Sequence, residues 1–482
     1  MKIKYFHLSL FSIMLLSFTI NTTAQNNSDF YLSNNGVTCM CPDANFGDTG
    51  TLTINGEQKT FTKRTRTQLD ALINNNQSDS EISFTCTSGI VDMSNLFSSK
   101  NSFNLDISHW DVSNVTNLSH MFYNSFSFNQ PLNHWNVSSV VNMNGMFEND
   151  SFDDDSIFNQ SLNNWDVSSV NDMSYMFYGA SSFNQPLSNW DVSSVNDMSY
   201  MFLGATSFNQ PLNNWNVSNV TYMNRMFVLT YDFNQQLDNW DVSNVIDMSF
   251  MFTSSLFNKN INSWDVSNVV YMGSMFGNAN YYDQPLDKWD VSNVINMSSM
   301  FRDAWSFSQN INSWDVSNVI NMNRMFENVF PYNQPLDNWD VSNVTTMTSM
   351  FKNATSFNKD ISVWCVEQIP NEPTDFATNS SLQASFYPNW GATCTLSISE
   401  NNLDNFKVYP NPVEGQLNLF WSSVNFPDKM NIQIYSLSGK KVFDQSYSQK
   451  PSALDVSPLS IGVYLLKVKV GYQSTVRQVI KK

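Results

Sequence analysis

The sequence predicts an α/β repeat solenoid, with a short strand and a short helix in each coil, followed by a small all-β sandwich. Three observations predict it. Tryptophan recurs almost every 25 residues, the apolar residues between tryptophans fall at strand-like and then helix-like spacings, and the composition changes after Cys394.

The chain has 482 residues, more than one compact core accommodates, and a repeat array escapes that limit because each unit needs only its neighbours. Lys2 and Lys4 precede an apolar stretch from Leu8 to Ile20 and the small-residue site Thr22-Thr23-Ala24. Residues 1–24 therefore read as a secretory signal peptide, and no cysteine follows directly to carry a lipid anchor. Beyond it, no run of roughly 18 apolar residues predicts a transmembrane span. Residues 25–87 are then an N-terminal capping region.

Five cysteines lie outside the repeats, which in a secreted protein reads as disulfides closing the two ends of the array. The expected pairs are Cys365 with Cys394, in a C-terminal disulfide cap over residues 365–394, and Cys86 with either Cys39 or Cys41. A metal site at Cys39-Met-Cys41 is the rival reading, but no histidine or further cysteine lies nearby in sequence.

Residues 88–364 form the array of about 11 coils, marked by Trp110, Trp135, Trp165, Trp190, Trp215, Trp240, Trp264, Trp289, Trp314, Trp339 and Trp364. One interval is five residues longer, absorbed by Asp150 to Ser156, and one is a residue shorter, just before Phe257. In the coil around Trp190, Trp190 and Val192 sit two apart, the spacing of one strand face. Val195, Met198 and Phe202 sit three and four apart, the spacing of one helix face, with Ser193 or Ser194 placed to cap the helix. Ser207-Phe-Asn-Gln-Pro turns the chain into the next coil.

The segment Leu-x-x-Trp-x-Val-x-x-Val resembles the start of a leucine-rich repeat. The longer unit Asn-Trp-Asp-Val-Ser-Asn-Val-x-x-Met-x-x-Met-Phe resembles the repeat of the BspA-like leucine-rich-repeat surface proteins, over residues 88–364. That resemblance implies a cell-surface or secreted protein, and adhesion to host or matrix proteins.

Residues 395–404 read as a linker and 405–482 as the sandwich. Strands are expected at Lys407 to Tyr409, Gln416 to Trp421, Asn431 to Ser436, Lys441 to Asp444, Gly462 to Val470 and Thr475 to Ile480. Val408-Tyr-Pro-Asn-Pro-Val, Ile434-Tyr-Ser-Leu-Ser-Gly-Lys and Gly462-Val-Tyr-Leu-Leu-Lys-Val, with the basic end Lys481-Lys482, resemble the C-terminal sorting domain of the type IX secretion system. The resemblance implies export to the outer cell surface of a Bacteroidetes-type bacterium, the secretion machinery as partner of residues 405–482, and removal of the tail.

A formal net charge of −18 disfavours nucleic acid and anionic membranes as partners and leaves cations, neutral glycans and basic proteins. The residue after each tryptophan forms an acidic column, Asp111, Asp166, Asp191, Asp241, Asp265, Asp290, Asp315 and Asp340, with Asn136 and Asn216 at two rungs. It is expected on the concave face and is the first candidate for ligand binding. Stacked carboxylates repel unless compensated, either by calcium between rungs or by hydrogen bonds to nearby Ser, Asn or backbone amides. The two asparagines keep the acceptor and drop the charge, which favours hydrogen bonding.

Asp150, Asp153, Asp154 and Asp155 in the insertion are the second calcium candidate, against the plainer reading of a solvated acidic loop. No cofactor beyond calcium is implied. The tryptophan column belongs in the core by its register. The aromatics Tyr281, Tyr282, Trp305, Phe330 and Tyr332 break the repeat at its turn and are candidates for a contact patch. Outside the signal peptide the histidines are His109, His120 and His134, and His109 with His134 reads as a surface pair without a nucleophile. No phosphate loop, zinc signature or nucleophile elbow is present, so the chain reads as non-enzymatic. The expected function is an adhesin or binding scaffold for an extracellular protein or glycan, with a structural surface spacer as the alternative.

Overall fold

A computed structural model of the chain describes residues 28–151, 156–393, 406–420, 430–436, 441–470 and 473–482. The chain divides into two compact units, residues 1–392 and 393–482.

The first unit opens with a cap. Strands β1 (Tyr31–Leu32) and β2 (Cys39–Met40) pair antiparallel, as do β3 (Thr49–Ile54) and β4 (Glu57–Lys63). Asn55-Gly56, both left-handed, make the tight turn between β3 and β4. Helix α1 (Arg66–Asn75) starts at a capping box in which Thr65 and Gln68 satisfy each other's amides, and it buries Leu69 and Ile73, one turn apart. Strand β5 (Thr85–Cys86) adds parallel to β4. Cys86 is bonded to Cys41, one of the two alternatives the sequence left open, and Cys39 is a buried free thiol. Cys365 is disulfide-bonded, and its expected partner Cys394 lies outside the described residues.

The array corrects the predicted fold class. No coil contains an α-helix, and α1 in the cap is the only one among the described residues. Trp190 and Val192 lie in no strand either; turns flank them, with Trp190 N–H donating to Leu187 and Val195 N–H to Val192. Coils are joined instead where the helix was expected. A continuous column of isolated parallel bridges runs from Asp92 through Asp197, Tyr222 and Asp247 to Thr346.

The physical reason lies in the backbone bookkeeping. Amides of Met198, Tyr200, Phe202 and Gly204 donate to carbonyls of Tyr222, Asn224, Met226 and Val228 in the next coil, at 2.9–3.0 Å. The alternate amides of Met201, Leu203 and Ala205 donate three residues back, to Met198, Tyr200 and Phe202. Half of the donors thus leave the coil, and none makes the four-residue bond of an α-helix. Left-handed residues at Tyr200 (φ 61°) and Gly204 (φ 70°) also interrupt any right-handed helix. Successive three-residue turns put side chains on one face at the same spacings as a helix, which is why the pattern misled. Ser193, expected as a helix cap, donates to Asp191 in a local turn.

Inward, the coils are nearly uniform. Val192, Val195, Met198, Met201, Phe202, Phe208 and Trp190 are buried, and so are their counterparts throughout. Phe177, Phe202, Phe227 and Phe252 stack with ring centroids 5.6–5.7 Å apart and planes within 7°. Each such ring removes roughly 150–250 Å² from water, but only because a ring of the adjacent coil covers it. Every tryptophan of the column is at most 4 % exposed. Each indole N–H donates to a carbonyl of the preceding coil, as in Trp190 to Leu162 at 2.9 Å and Trp215 to Leu187 at 3.1 Å.

Both ends of the stack are closed. The first coil has no predecessor to donate to its carbonyls, and Arg66 fills that role: Nη1 donates to Asp92 O and Nη2 to Ser94 O, both at 2.8 Å. At the far end Ser349, Phe351 and Asn353 donate to Thr374, Phe376 and Thr378. In that terminal segment the Phe376 amide turns back to Pro373 O at 3.0 Å and the Thr378 amide to Asp375 O at 3.4 Å, so neither is presented to a further chain.

The second unit is a sandwich of two antiparallel sheets. One has the order β10 (Ala453–Asp455), β7 (Gln416–Phe420), β6 (Lys407–Tyr409); the other has β12 (Gln473–Lys481), β11 (Gly462–Val470), β8 (Met430–Ser436), β9 (Lys441–Tyr447). Alternate residues Leu417, Leu419, Ile432, Ile434, Leu466 and Val468 fill the core. In the Pro-Asn-Pro turn, Asn411 donates to Gln478 O and accepts from Ile480 N–H, while Val413 pairs with Lys481, so the loop is tied to the last strand.

Candidate ligand-binding surface

The acidic column is compensated locally. In every rung from Asp166 to Asp340 the carboxylate accepts the amide of the serine two residues on, at 3.0–3.1 Å. Ser168 and Ser243 add their hydroxyls at 2.6 Å. Asn136 and Asn216 accept the same bonds from Ser138 and Ser218. Hydrogen bonds from Ser193 and Ser267 hold Asp191 and Asp265 below the ordinary carboxylate value. Seven of these aspartates are exposed. Asp111 differs: it is buried, and it accepts from Ser88 Oγ at 2.5 Å and Ser113 Oγ at 2.6 Å, holding the first coil to the cap.

Sequence reasoning missed a second ladder. Asn184 Oδ1 accepts the amide of Asn209, Asn209 that of Asn234, and Asn234 that of Asn258, at 3.0–3.1 Å. A glutamine one residue on reinforces it, as Gln235 Nε2 does to Asn209 Oδ1 at 2.9 Å. The signal is the recurrent Phe-Asn-Gln, whose composition by itself indicates only a turn. These side chains serve the fold and are not free to bind.

In the insertion, Asp150 accepts from the Tyr123 hydroxyl and from Asn124, and these bonds hold its carboxyl below the ordinary value. Asp153, Asp154 and Asp155 lie outside the described residues. Among the described residues no group of three or more His, Cys, Asp or Glu could hold a metal ion. Glu148, pushed up to about 7 by burial and by the Asp150 charge, faces His120 Nδ1 at 3.1 Å across Gly145, whose missing side chain leaves the room. His109 is buried against Ser83 O, whereas His134 is exposed, so the expected surface pair does not form.

The outward face varies where the core does not. At the left-handed position of Tyr200 successive coils carry Asn95, His120, Gly145, Tyr175, Tyr200, Arg225, Phe250, Ser274 and Ser299. Tyr175 stacks on Tyr200 at 4.3 Å, and the Arg225 guanidinium lies over Tyr200 at 5.1 Å and over Phe250 at 4.4 Å. These four side chains form a half-buried ladder on the surface. The off-register aromatics divide: Tyr282 and Tyr332 are fully buried, whereas Tyr281, Trp305 and Phe330 are exposed.

Residues 67–156, 149–256, 212–308 and 283–390 match the family described as Mycoplasma protein of unknown function, DUF285. The chain belongs to this family. Residues 407–482 match the secretion system C-terminal sorting domain. The DUF285 array is thus joined to a type IX sorting tail, and the protein is exported, secreted or displayed at the cell surface. No helix among the described residues is long and apolar enough to cross a membrane. No curated protein matches the chain.

Proposed function

We propose that this DUF285 protein is a non-catalytic binding scaffold of the bacterial surface, in which the array contacts an extracellular protein or glycan. It would enter the periplasm by the signal peptide of residues 1–24 and cross the outer membrane of a Bacteroidetes-type cell by its tail, which is then removed. The resemblance of the repeat to that of BspA-like surface proteins supports this role.

One observation carries the reading. The inward columns repeat almost without change, while the position of Tyr200 changes chemistry from coil to coil and holds Tyr, Arg and Phe in a left-handed backbone that disfavours them. A spacer has no use for that variation. Tyrosine and arginine also dominate the energetics of protein contact surfaces.

The test replaces Tyr175, Tyr200, Arg225 and Phe250 together by serine, which Ser274, Ser299 and Ser349 already show the column accepts. Cells and purified protein are then compared for adherence to matrix proteins and glycans. Adherence should fall at least about tenfold with the fold retained. Unchanged adherence of the variant, or none by the parent, would remove the basis for the reading.

A further inference from the structure

We infer that Tyr281, Trp305 and Phe330 form a binding platform for a neutral oligosaccharide, laid across three consecutive coils. The inference rests on the scaffold reading and assigns it a site and a ligand class.

Tyr281 is 61 % exposed, Trp305 52 % and Phe330 41 %. Soluble surfaces rarely leave large rings clustered in water without a partner. These turn positions are variable: that of Trp305 and Phe330 holds Ser181, Thr206 and Thr355 but also Phe126, Tyr231 and Asn280, and that of Tyr281 holds Ser207 and Ser306 but also Leu256 and Pro331. The backbone therefore does not require the rings.

Ring geometry separates this patch from the core columns. Trp305 and Phe330 lie 6.4 Å apart at 40°, so neither covers the face of the other, whereas core phenylalanines in adjacent coils lie nearly parallel. The open π faces of Trp305 and Phe330, one coil apart, match the apolar C–H faces of adjacent sugar rings, and Tyr281 is exposed one residue off their register in the preceding coil.

Charge narrows the ligand. Three residues before Trp305 and Phe330 in their coils, Arg302 pairs with Asp303 and Glu327, each at 3.2 Å, and Arg324 lies 3.8 Å from Glu327. Two cations and two carboxylates cancel, leaving no net charge there to select a charged partner. The net charge of −18 over the whole chain repels acidic glycans. Asn328, which donates to Asp303 at 2.5 Å, and Ser306, which donates to Asn280 O at 2.7 Å, add hydroxyl-compatible polar groups. A polyol with apolar ring faces meets all of these conditions.

The test titrates the full exported chain with maltohexaose, cellohexaose and mannohexaose by calorimetry and tryptophan fluorescence, alongside matrix-protein binding. Trp305 is the one exposed tryptophan among the described residues, and an emission change lost in Trp305→Thr is assigned to it against the background of the others. At least one hexaose should bind saturably and shift that emission. Trp305→Thr, Phe330→Thr and Tyr281→Ser, residues the array itself uses there, should each weaken binding about tenfold or more with an unchanged unfolding curve. Hexaose binding indifferent to the three substitutions overturns the platform and leaves the scaffold reading intact. Protein binding without hexaose binding does the same. Silence toward every ligand overturns both.

Discussion

Replacing Asn209 by alanine removes an oxygen that accepts from the Asn234 amide at 3.1 Å and from Gln235 Nε2 at 2.9 Å. Gln235 Nε2 retains the Asn209 carbonyl at 3.1 Å, so the Asn234 amide bears the main loss. Leaving a half-buried amide without its partner costs about 1–3 kcal/mol. That corresponds to roughly 5- to 150-fold faster hydrogen exchange at Asn234 if the loss is felt in local opening. Asn209→Asp keeps the acceptor, and Asp283 already performs this role, accepting from Ser308 N–H and Gln309 Nε2 at 2.9 Å each. The aspartate variant should therefore exchange like the parent. Exchange measured amide by amide, with urea unfolding of both variants, decides the matter. Equal damage from Ala and Asp would show that shape or charge matters at this rung, and the hydrogen-bond ladder would lose its energetic role.

Arg66→Ala uncovers the Asp92 and Ser94 carbonyls and should cost about 2 kcal/mol after allowance for solvent, with faster exchange at Met93, Asn95 and Phe97 and none at the central Phe227; uniform acceleration along the array would contradict a local cap. Tyr282 and Tyr332 bury hydroxyls that have no hydrogen-bond partner, so Tyr282→Phe and Tyr332→Phe should each raise stability by about 1 kcal/mol, and a lower urea midpoint would disprove it. Asp191 and Asp265 titrate below the unfolded value when folded, so their contribution is present above that value and fades as the pH falls through the lower folded one. Acid unfolding of a variant with both changed to Asn should be less steep in that window; an identical acid limb would refute this.

The period, the buried columns and most tail strands were legible because each is written in apolar spacing. Trp190, Val195 and Met198 announced their burial by register alone, and the strands from Lys407 to Ile480 alternated cleanly. The coil's local geometry was not legible. Spacings of three and four arise equally from a helix and from consecutive turns, and the signal that separates them is a left-handed residue every fourth position. At Gly204 and Asn278 that signal is visible, but Tyr200, Arg225 and Phe250 occupy it without glycine or asparagine to mark it. Strand β10 escaped because three residues carry too little alternation. For the surface, sequence could name Trp305 and Phe330 as departures but could not separate them from Tyr282 and Tyr332, which occupy the repeat position two residues further on and are buried in the core.

That separation explains how the array tolerates change. One ladder uses main-chain atoms, the other the recurrent Asn and Gln side chains, and the buried columns use the same few side chains in every coil. The outward positions enter neither the ladders nor the buried columns, so they can vary without altering those bonds. Length variation is confined in the same way. The bridge column passes from Asn142 to Asp172 and from Asp247 to Tyr271 without a break, although these steps are five residues longer and one shorter than the rest. The extra residues fall beyond the ladder segment, near Asp150, where the chain leaves one bonded stretch for the next. Aromatic rings at the Tyr200 and Trp305 positions are therefore not required by the stacking, as the serines and threonines at Ser274, Ser299, Thr206 and Thr355 show, and replacing them should leave the fold intact.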